Sequence, residues 1–393
     1  MNNGFPSDRE EKRALLLRAV DDVAEIIRAG ADESEKLRTL APSSIAALRD
    51  SGLLRLKLPA ALGGAEADPA LQLEIIEAVS YLDSAAGWCL FIGATTSAIP
   101  GAFLPDSAIE KMFPNGRIPT CAGGGGFKPV IGTTAPGGYH LTGRWSWGSG
   151  IRHAQWLIVP TLIPGENGGD MEARMMVFPA AEATIHDNWY VMGLQGTGSC
   201  DYSVENLFVP AEFTFSRDSP PKRGGVLYNY ALPGFIAVEN AGFSLGVARR
   251  ALDELVTIAQ TKGRGGLGVR SSLMARGVFQ KALGQADLNL KATRALQMSL
   301  LDKTWKYLNE GREISPAFHT ELRAAGAHTS EVAVAVAAMA VRYAAGSAVY
   351  SGNILQRCLR DLQMADTHFI VSDTSYEAHG QFMLGMPGAN PFA

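Results

Sequence analysis

The 393-residue chain is too long for one ordinary core and has room for two or three domains. With 47% hydrophobic residues, 19% charged residues and a formal net charge of −4, it has the make-up of a well-buried globular protein and lacks the basic excess of a general nucleic-acid binder. Its four cysteines, Cys89, Cys121, Cys200 and Cys358, lie far apart without a C-x-x-C pair, so neither zinc nor a disulfide framework is indicated, and a reducing cytoplasm is the expected setting.

The N-terminus, "MNNGFPSDREEKRALLL", is charged and lacks the apolar core of a signal peptide. Residues 8–113 read as helical. Leu16, Val20, Val23 and Ile27 recur at helical spacing among charged residues. In "DPALQLEIIEAVSYLD", Asp68 is placed to cap a helix and Pro69 to occupy its first position. The connection "SGLLRLKLPAALGGAEADP" turns at Gly63 and Gly64.

From residue 115 to 215 short alternating runs appear between Gly and Pro: "GGYHLTGRWSW", "QWLIVPTLI", "ARMMVFP" and "SVENLFVP". They predict a sheet of six to eight strands closed into a small barrel. From residue 230 onward helical patterns return, rich in small residues that let helices approach closely. Such faces often pack across subunits, so a symmetric oligomer is expected. The apolar run "VAVAVAAMAV" (332–341) is about half the length of a bilayer span and reads as a helix packed on all sides, not a membrane segment.

The chemistry-bearing residues are few. "GRWSWGSGIRH" (143–153) sets Trp145 and Trp147 beside Ser149 and Gly150. On the pattern alone, tryptophans at i and i+2 share one strand face and pack a core. "GTGS" (196–199) offers backbone N–H groups and hydroxyls suited to an anion, but it does not sit at a strand-to-helix turn, so a nucleotide-binding glycine motif is not supported. "AGGGGF" (122–127) reads as a pocket wall or a surface loop, and "GRGGLG" (263–268) as an exposed loop between helices. No metal-ligand cluster, H-E-x-x-H or G-x-S-x-G elbow is present.

Four segments in order carry a family resemblance. They are "LRDSGLLRLKLPAALGGAEAD" with "EIIEAVSYLDSAAGW", then "GGYHLTGRWSWGSGIRHAQWLIV", then "WYVMGLQGTGSCDYSVENLFVP", and last "LQRCLRDLQMADTH". The chain resembles the acyl-CoA dehydrogenase fold. That implies an α+β multidomain protein with an N-terminal helical domain (1–114), a central small β-barrel (115–225) and a C-terminal helical bundle (226–393). It departs from the fatty-acyl dehydrogenases at two places. Their carboxylate base stands in a Tyr-Glu-Gly context after the Arg-Asp pair. Here Arg360-Asp361 leads instead to His368, and Glu377 lies sixteen residues past Asp361. "TCAGGGGFKP" replaces their Thr-Glu-Pro…Gly-Ser-Asp segment.

These departures match a sister group, the two-component flavin-dependent monooxygenases, which includes the oxygenase components that hydroxylate 4-hydroxyphenylacetate and a phenolic steroid. The resemblance implies that reduced FMN or FAD, supplied by a separate NAD(P)H-dependent reductase, reacts with O2 to give a flavin hydroperoxide. That species would hydroxylate a small aromatic compound in a cytoplasmic homotetramer. It further implies that Trp147 stacks near the flavin ring, and that Ser149 aims its hydroxyl or N–H at the central ring nitrogen and carbonyl edge. Gly148 and Gly150 would allow close approach, and Gly196, Thr197 and Ser199 would shape the turn beside the flavin. Trp145 and Cys121 would line the substrate pocket, with Trp145 equally at home as scaffold, and His153 would line it or merely end a strand. His368 would serve as base or hold the oxygen adduct, helped by an ordinary pKa near neutrality. Arg360 and Asp361 would make structural ion pairs. His379 has no such support, and His140, His186, His319 and His328 read as surface or structural. Two other readings remain open on sequence: an acyl-thioester dehydrogenase with Glu377 as base, and a flavin-free binding protein on the same fold.

Overall fold

The computed structural model describes residues 4–125, 128–165, 169–216, 218–229, 232–261, 263–264 and 271–391. Residues 126–127 of "AGGGGF" and 265–268 of "GRGGLG" lie outside the described residues. Five helices come first: α1 (Arg9–Leu37), α2 (Pro42–Asp50), α3 (Pro69–Leu82), α4 (Ser84–Phe103) and α5 (Asp106–Met112). Strands follow: β1 (Cys121–Gly123), β2 (Thr133–Ala135), β3 (Gly138–Gly148), β4 (Trp156–Ile163), β5 (Glu172–Pro179), β6 (Thr184–Ile185), β7 (Cys200–Pro210) and β8 (Thr214–Ser216). Then come α6 (Leu232–Thr261), a short ribbon of β9 (Gly263–Arg264) with β10 (Ser271–Ser272), and α7 (Gly277–Asn309), α8 (Pro316–Ala344), α9 (Ile354–Ala365) and α10 (Thr374–Met383).

The chain divides into two compact units. The first comprises Met1–Ala67, Trp88–Val191 and Gln195–Asn229; the second comprises Asp68–Gly87, Met192–Leu194 and Tyr230–Ala393.

In the first unit, α1 starts on the Asp8 carboxylate, which accepts from the Glu11 N–H at 2.9 Å, and it buries Leu16, Val20, Val23 and Ile27 as their spacing predicts. The eight strands β1 to β8 are split into two four-stranded sheets, ordered β1-β4-β5-β8 and β2-β3-β7-β6, where one continuous sheet was expected. Two corners join them. Val130 and Gly132 hydrogen-bond to Leu162 on β4, while the next residues, Thr133 to Ala135, pair with β3. The Ser146 N–H on β3 donates to the Gly125 carbonyl just after β1, at 3.0 Å. The barrel is therefore assembled from two short sheets stitched at corners. Large side chains, among them Leu141, Trp145, Phe178 and Tyr202, fill its core.

The second unit is a helical bundle around α6, which packs on α3, α7, α8 and α9. Asp68 caps α3 as predicted, its carboxylate accepting from the Leu71 N–H at 3.0 Å. The crossing of α6 on α3 depends on missing side chains: a Cβ at Gly246 would stand 2.2 Å from the Glu77 carbonyl oxygen. Arg294 on α7 holds the Glu77 carboxylate at 2.8 Å, and burial still pushes that carboxyl's pKa upward.

The Ala- and Val-rich run does not pack on all sides. Ala333, Val336, Ala337 and Ala340 are buried on one face of α8, whereas Ala335 and Ala338 are exposed. Two stretches, Ser84–Phe103 and Pro316–Val349, are long and apolar enough to cross a membrane by length and composition; the first is mostly buried in protein.

Candidate active site

The strand β3 ends in an irregularity. Trp145 pairs with Tyr202 and Gly148 with Cys200, so Ser146 and Trp147 together oppose Asp201 alone. This extra residue is a β-bulge, and Trp147 absorbs it with a φ of 64°. In a regular strand Trp145 and Trp147 would share a face. The bulge separates them instead: Trp145 is 2% exposed and Trp147 is 47% exposed. Trp145 stacks on Tyr202 at 5.7 Å between ring centres, and its indole N–H donates to the Pro160 carbonyl at 3.1 Å. It is part of the barrel core.

Just beyond the bulge, Gly150 turns the chain with a φ of 74° and donates its N–H to the Thr197 carbonyl at 2.8 Å. This bond joins the end of β3 to the Gly196–Ser199 turn. Gly148 lies against the Tyr202 ring, where a Cβ would meet a ring carbon at 2.9 Å. Ser149 is thereby held in a buried chain of hydroxyls. Its Oγ lies 2.7 Å from Ser199 Oγ, which lies 2.7 Å from Thr197 Oγ1. From α4, the Trp88 indole N–H donates to Ser149 Oγ at 3.0 Å, and the Cys89 thiol approaches the Thr197 carbonyl at 3.8 Å.

Trp88 was missed as a site residue in the sequence. The available signal was a single Trp in the small-residue context "SAAGWC", since a buried indole N–H needs an acceptor. His153 packs its ring over Gly150, and burial depresses its pKa to about 4; its Nδ1 has no hydrogen-bond partner among the described residues. Cys121 is buried in the barrel core, and burial pushes its thiol pKa up. The structure therefore brings Ser149, Gly150, Gly196, Thr197, Ser199 and His153 into one neighbourhood. It puts Trp145 and Cys121 in the core.

His368 belongs to the second unit. It precedes the short turn Phe369–Val371, and the Ile370 N–H donates to its Nδ1 over a long 3.4 Å. A neutral ring that accepts this bond carries its proton on Nε2. Burial lowers the His368 pKa to about 4, so the ring is neutral at pH 7. Arg360 and Asp361 act on a loop backbone. Asp361 accepts from the Leu194 N–H at 2.5 Å and from the Ser84 hydroxyl, while Arg360 donates to the Met192 carbonyl. Glu377 is exposed on α10, where it accepts from the Gln381 amide at 3.1 Å. Among the described residues no three His, Cys, Asp or Glu side chains form a metal-sized group.

The residues of the first unit fit a flat, hydrogen-bonding ring system. An exposed indole is forced outward by a strained backbone beside a buried hydroxyl chain, while Gly148 and Gly150 are themselves covered by the Tyr202 and His153 rings.

Residues 239–373 match the family model "Acyl-CoA dehydrogenase, C-terminal domain". Across 365 residues the chain is 30% identical to indole-3-acetate monooxygenase of Pseudomonas putida, covering 92% of each protein. The chain belongs to the flavin-dependent monooxygenases. Like other members, it is an oxygen-using enzyme whose cofactor is reduced flavin. The oxygenase component of an FADH2-dependent resorcinol hydroxylase from Rhizobium is 30% identical over 196 residues, half of this chain and 47% of its own. The solved structure of XiaF from Streptomyces, in complex with FADH2 and glycerol, superposes with a TM-score of 0.88 at 22% identity over 98% of both chains, which shows the shared fold. The monooxygenase neighbours and the surface position of Glu377 leave the acyl-thioester dehydrogenase reading without support.

Proposed function

We propose that this enzyme hydroxylates a small aromatic compound, with the flavin ring held at the bulged end of β3. The observation that carries this reading is Trp147, turned outward at positive φ beside the buried Ser149 hydroxyl. Trp147 lies against the ring. Ser149 directs its hydroxyl at the central ring nitrogen, and Gly148 and Gly150 let the Tyr202 and His153 rings pack closely behind it. Gly196, Thr197 and Ser199 support Ser149, and His153 borders the substrate space. FMN and FAD both remain candidates, delivered in reduced form by a separate NAD(P)H-dependent reductase.

The reduced flavin supplies the two electrons that activate O2. One oxygen atom enters the substrate and the other leaves as water, which takes up a proton. His368 is the proposed partner of this chemistry: its neutral ring would either take up the proton that the aromatic substrate loses or hold the reacting oxygen through a hydrogen bond. The barrel core and the buried hydroxyls exclude water from the ring face. Because the Pseudomonas relative acts on indole-3-acetate, that acid is the first substrate to test.

The protein is further proposed to work in the cytoplasm as a homotetramer. Val278, Leu288 and Leu296 lie exposed on α7, and the uncovered face of α8 adds Ala335 and Ala338. The test is rapid mixing of the protein, loaded anaerobically with reduced FMN or FAD, against oxygenated buffer with and without indole-3-acetate. A transient absorbance preceding oxidised flavin, and a hydroxylated product, are expected. Immediate appearance of oxidised flavin with both cofactors would sink the reading.

A further inference from the structure

The hydroxyl chain behind Ser149 has a property that simple support does not require. A serine hydroxyl carries one hydrogen and two acceptor lone pairs, whereas an indole N–H is a donor only. Trp88 therefore occupies one lone pair of Ser149 Oγ at 3.0 Å, whatever else happens. One hydrogen and one lone pair remain. Ser199, at 2.7 Å, takes one of them, and the ligand side receives the other. If Ser149 donates outward, Ser199 must donate to Ser149. If Ser149 accepts from outside, its hydrogen must point to Ser199. The same choice passes to Thr197, 2.7 Å from Ser199. All three hydroxyls are buried, so water does not absorb the mismatch.

We infer that Ser149, Ser199 and Thr197 form a two-state hydroxyl relay whose direction is set by the redox state of the flavin. This rests on the proposed placement of the flavin ring nitrogen at Ser149. That nitrogen is an acceptor in the oxidised ring and carries a hydrogen in the reduced one. With oxidised flavin the relay runs Thr197 to Ser199 to Ser149 to the ring. With reduced flavin it runs from the ring to Ser149, Ser199 and Thr197. Only hydroxyl rotations are needed, and no proton changes owner. Trp88 makes the switch two-state by removing the spare lone pair. Ser199 and Thr197 are positioning residues that let one serine satisfy both forms of the cofactor. Without Ser199, reduced flavin leaves the buried Ser149 hydrogen with no acceptor, while oxidised flavin keeps its donor.

The experiment is anaerobic titration of the full chain with oxidised and with reduced FMN and FAD, reading the two dissociation constants. Ser199→Ala and the near-isosteric Thr197→Val are expected to weaken the reduced form about tenfold while the oxidised form stays within about threefold. Thr197→Ser, which keeps the hydroxyl, is expected to retain the wild-type ratio. Equal weakening of both forms, no change in either variant, or the same loss in Thr197→Ser would overturn the relay while leaving the flavin site standing. Failure of the wild type to bind either form would overturn the flavin site, and the relay with it.

Discussion

The end of β3 and the turn carrying His368 are built in different ways. Around Ser149 the backbone is locked by a bulge, a positive-φ tryptophan and a glycine turn, and three hydroxyls and an indole N–H interlock within 3.0 Å. His368 precedes a three-residue turn, meets the Ile370 N–H over 3.4 Å and sits beside the exposed Phe369. The first arrangement suits a group that must hold a rigid ring in one pose. The second leaves His368 loosely bonded and neutral, its pKa lowered by burial to about 4 and away from the near-neutral value expected from the sequence. The proposed positioning and proton-handling roles thus fall on different kinds of local structure.

The contrast can be broken by substitution. Ser149→Ala removes the hydroxyl at the centre of the locked site, and product formed per reduced flavin consumed is expected to fall about a hundredfold. Equal product yield would end its assigned role. His368→Gln is expected to slow hydroxylation about a hundredfold, the low end of the contribution of one acid–base group, with flavin affinity retained. A loss of flavin binding in that variant would erase the division of labour.

The two tryptophans sharpen the comparison within one strand. Trp145→Ala is expected to cost about 3–5 kcal/mol of stability, read as a lowered denaturation midpoint. Trp147→Ala is expected to change stability by less than about 1 kcal/mol while weakening flavin binding. The reverse ranking would mean that the bulge does not separate their roles.

A further expected effect is in pH. His153 and His368 have folded-state pKa values near 4, below the ordinary histidine value near 6.5, both lowered by burial. The unfolded chain binds more protons between those values, so stability falls as pH drops from about 6.5 toward 4 and is flat above. Replacing His153 with Phe is expected to reduce the slope of the thermal midpoint over that window, His368 keeping its own share. An unchanged slope would count against its buried, neutral state.

Periodicity and end signals made the helices, the strand zone and the Asp68–Pro69 start of α3 readable, because they depend on residues within one or two turns of each other. The segments around Trp147 and His368 were enough to indicate the family, since they preserve local spacing. What one strand cannot show is its register against another. The bulge that exposes Trp147 is a mismatch between β3 and β7, and neither strand records it alone. In the same way, Trp88 reaches Ser149 across 61 residues, and Asp361 reaches the Leu194 backbone across 167. The chain by itself determined the family, through locally spaced segments. Only the tertiary structure decided which hydroxyls and indoles meet, because hydrogen bonds at these distances exist only after the long loops between their partners have closed.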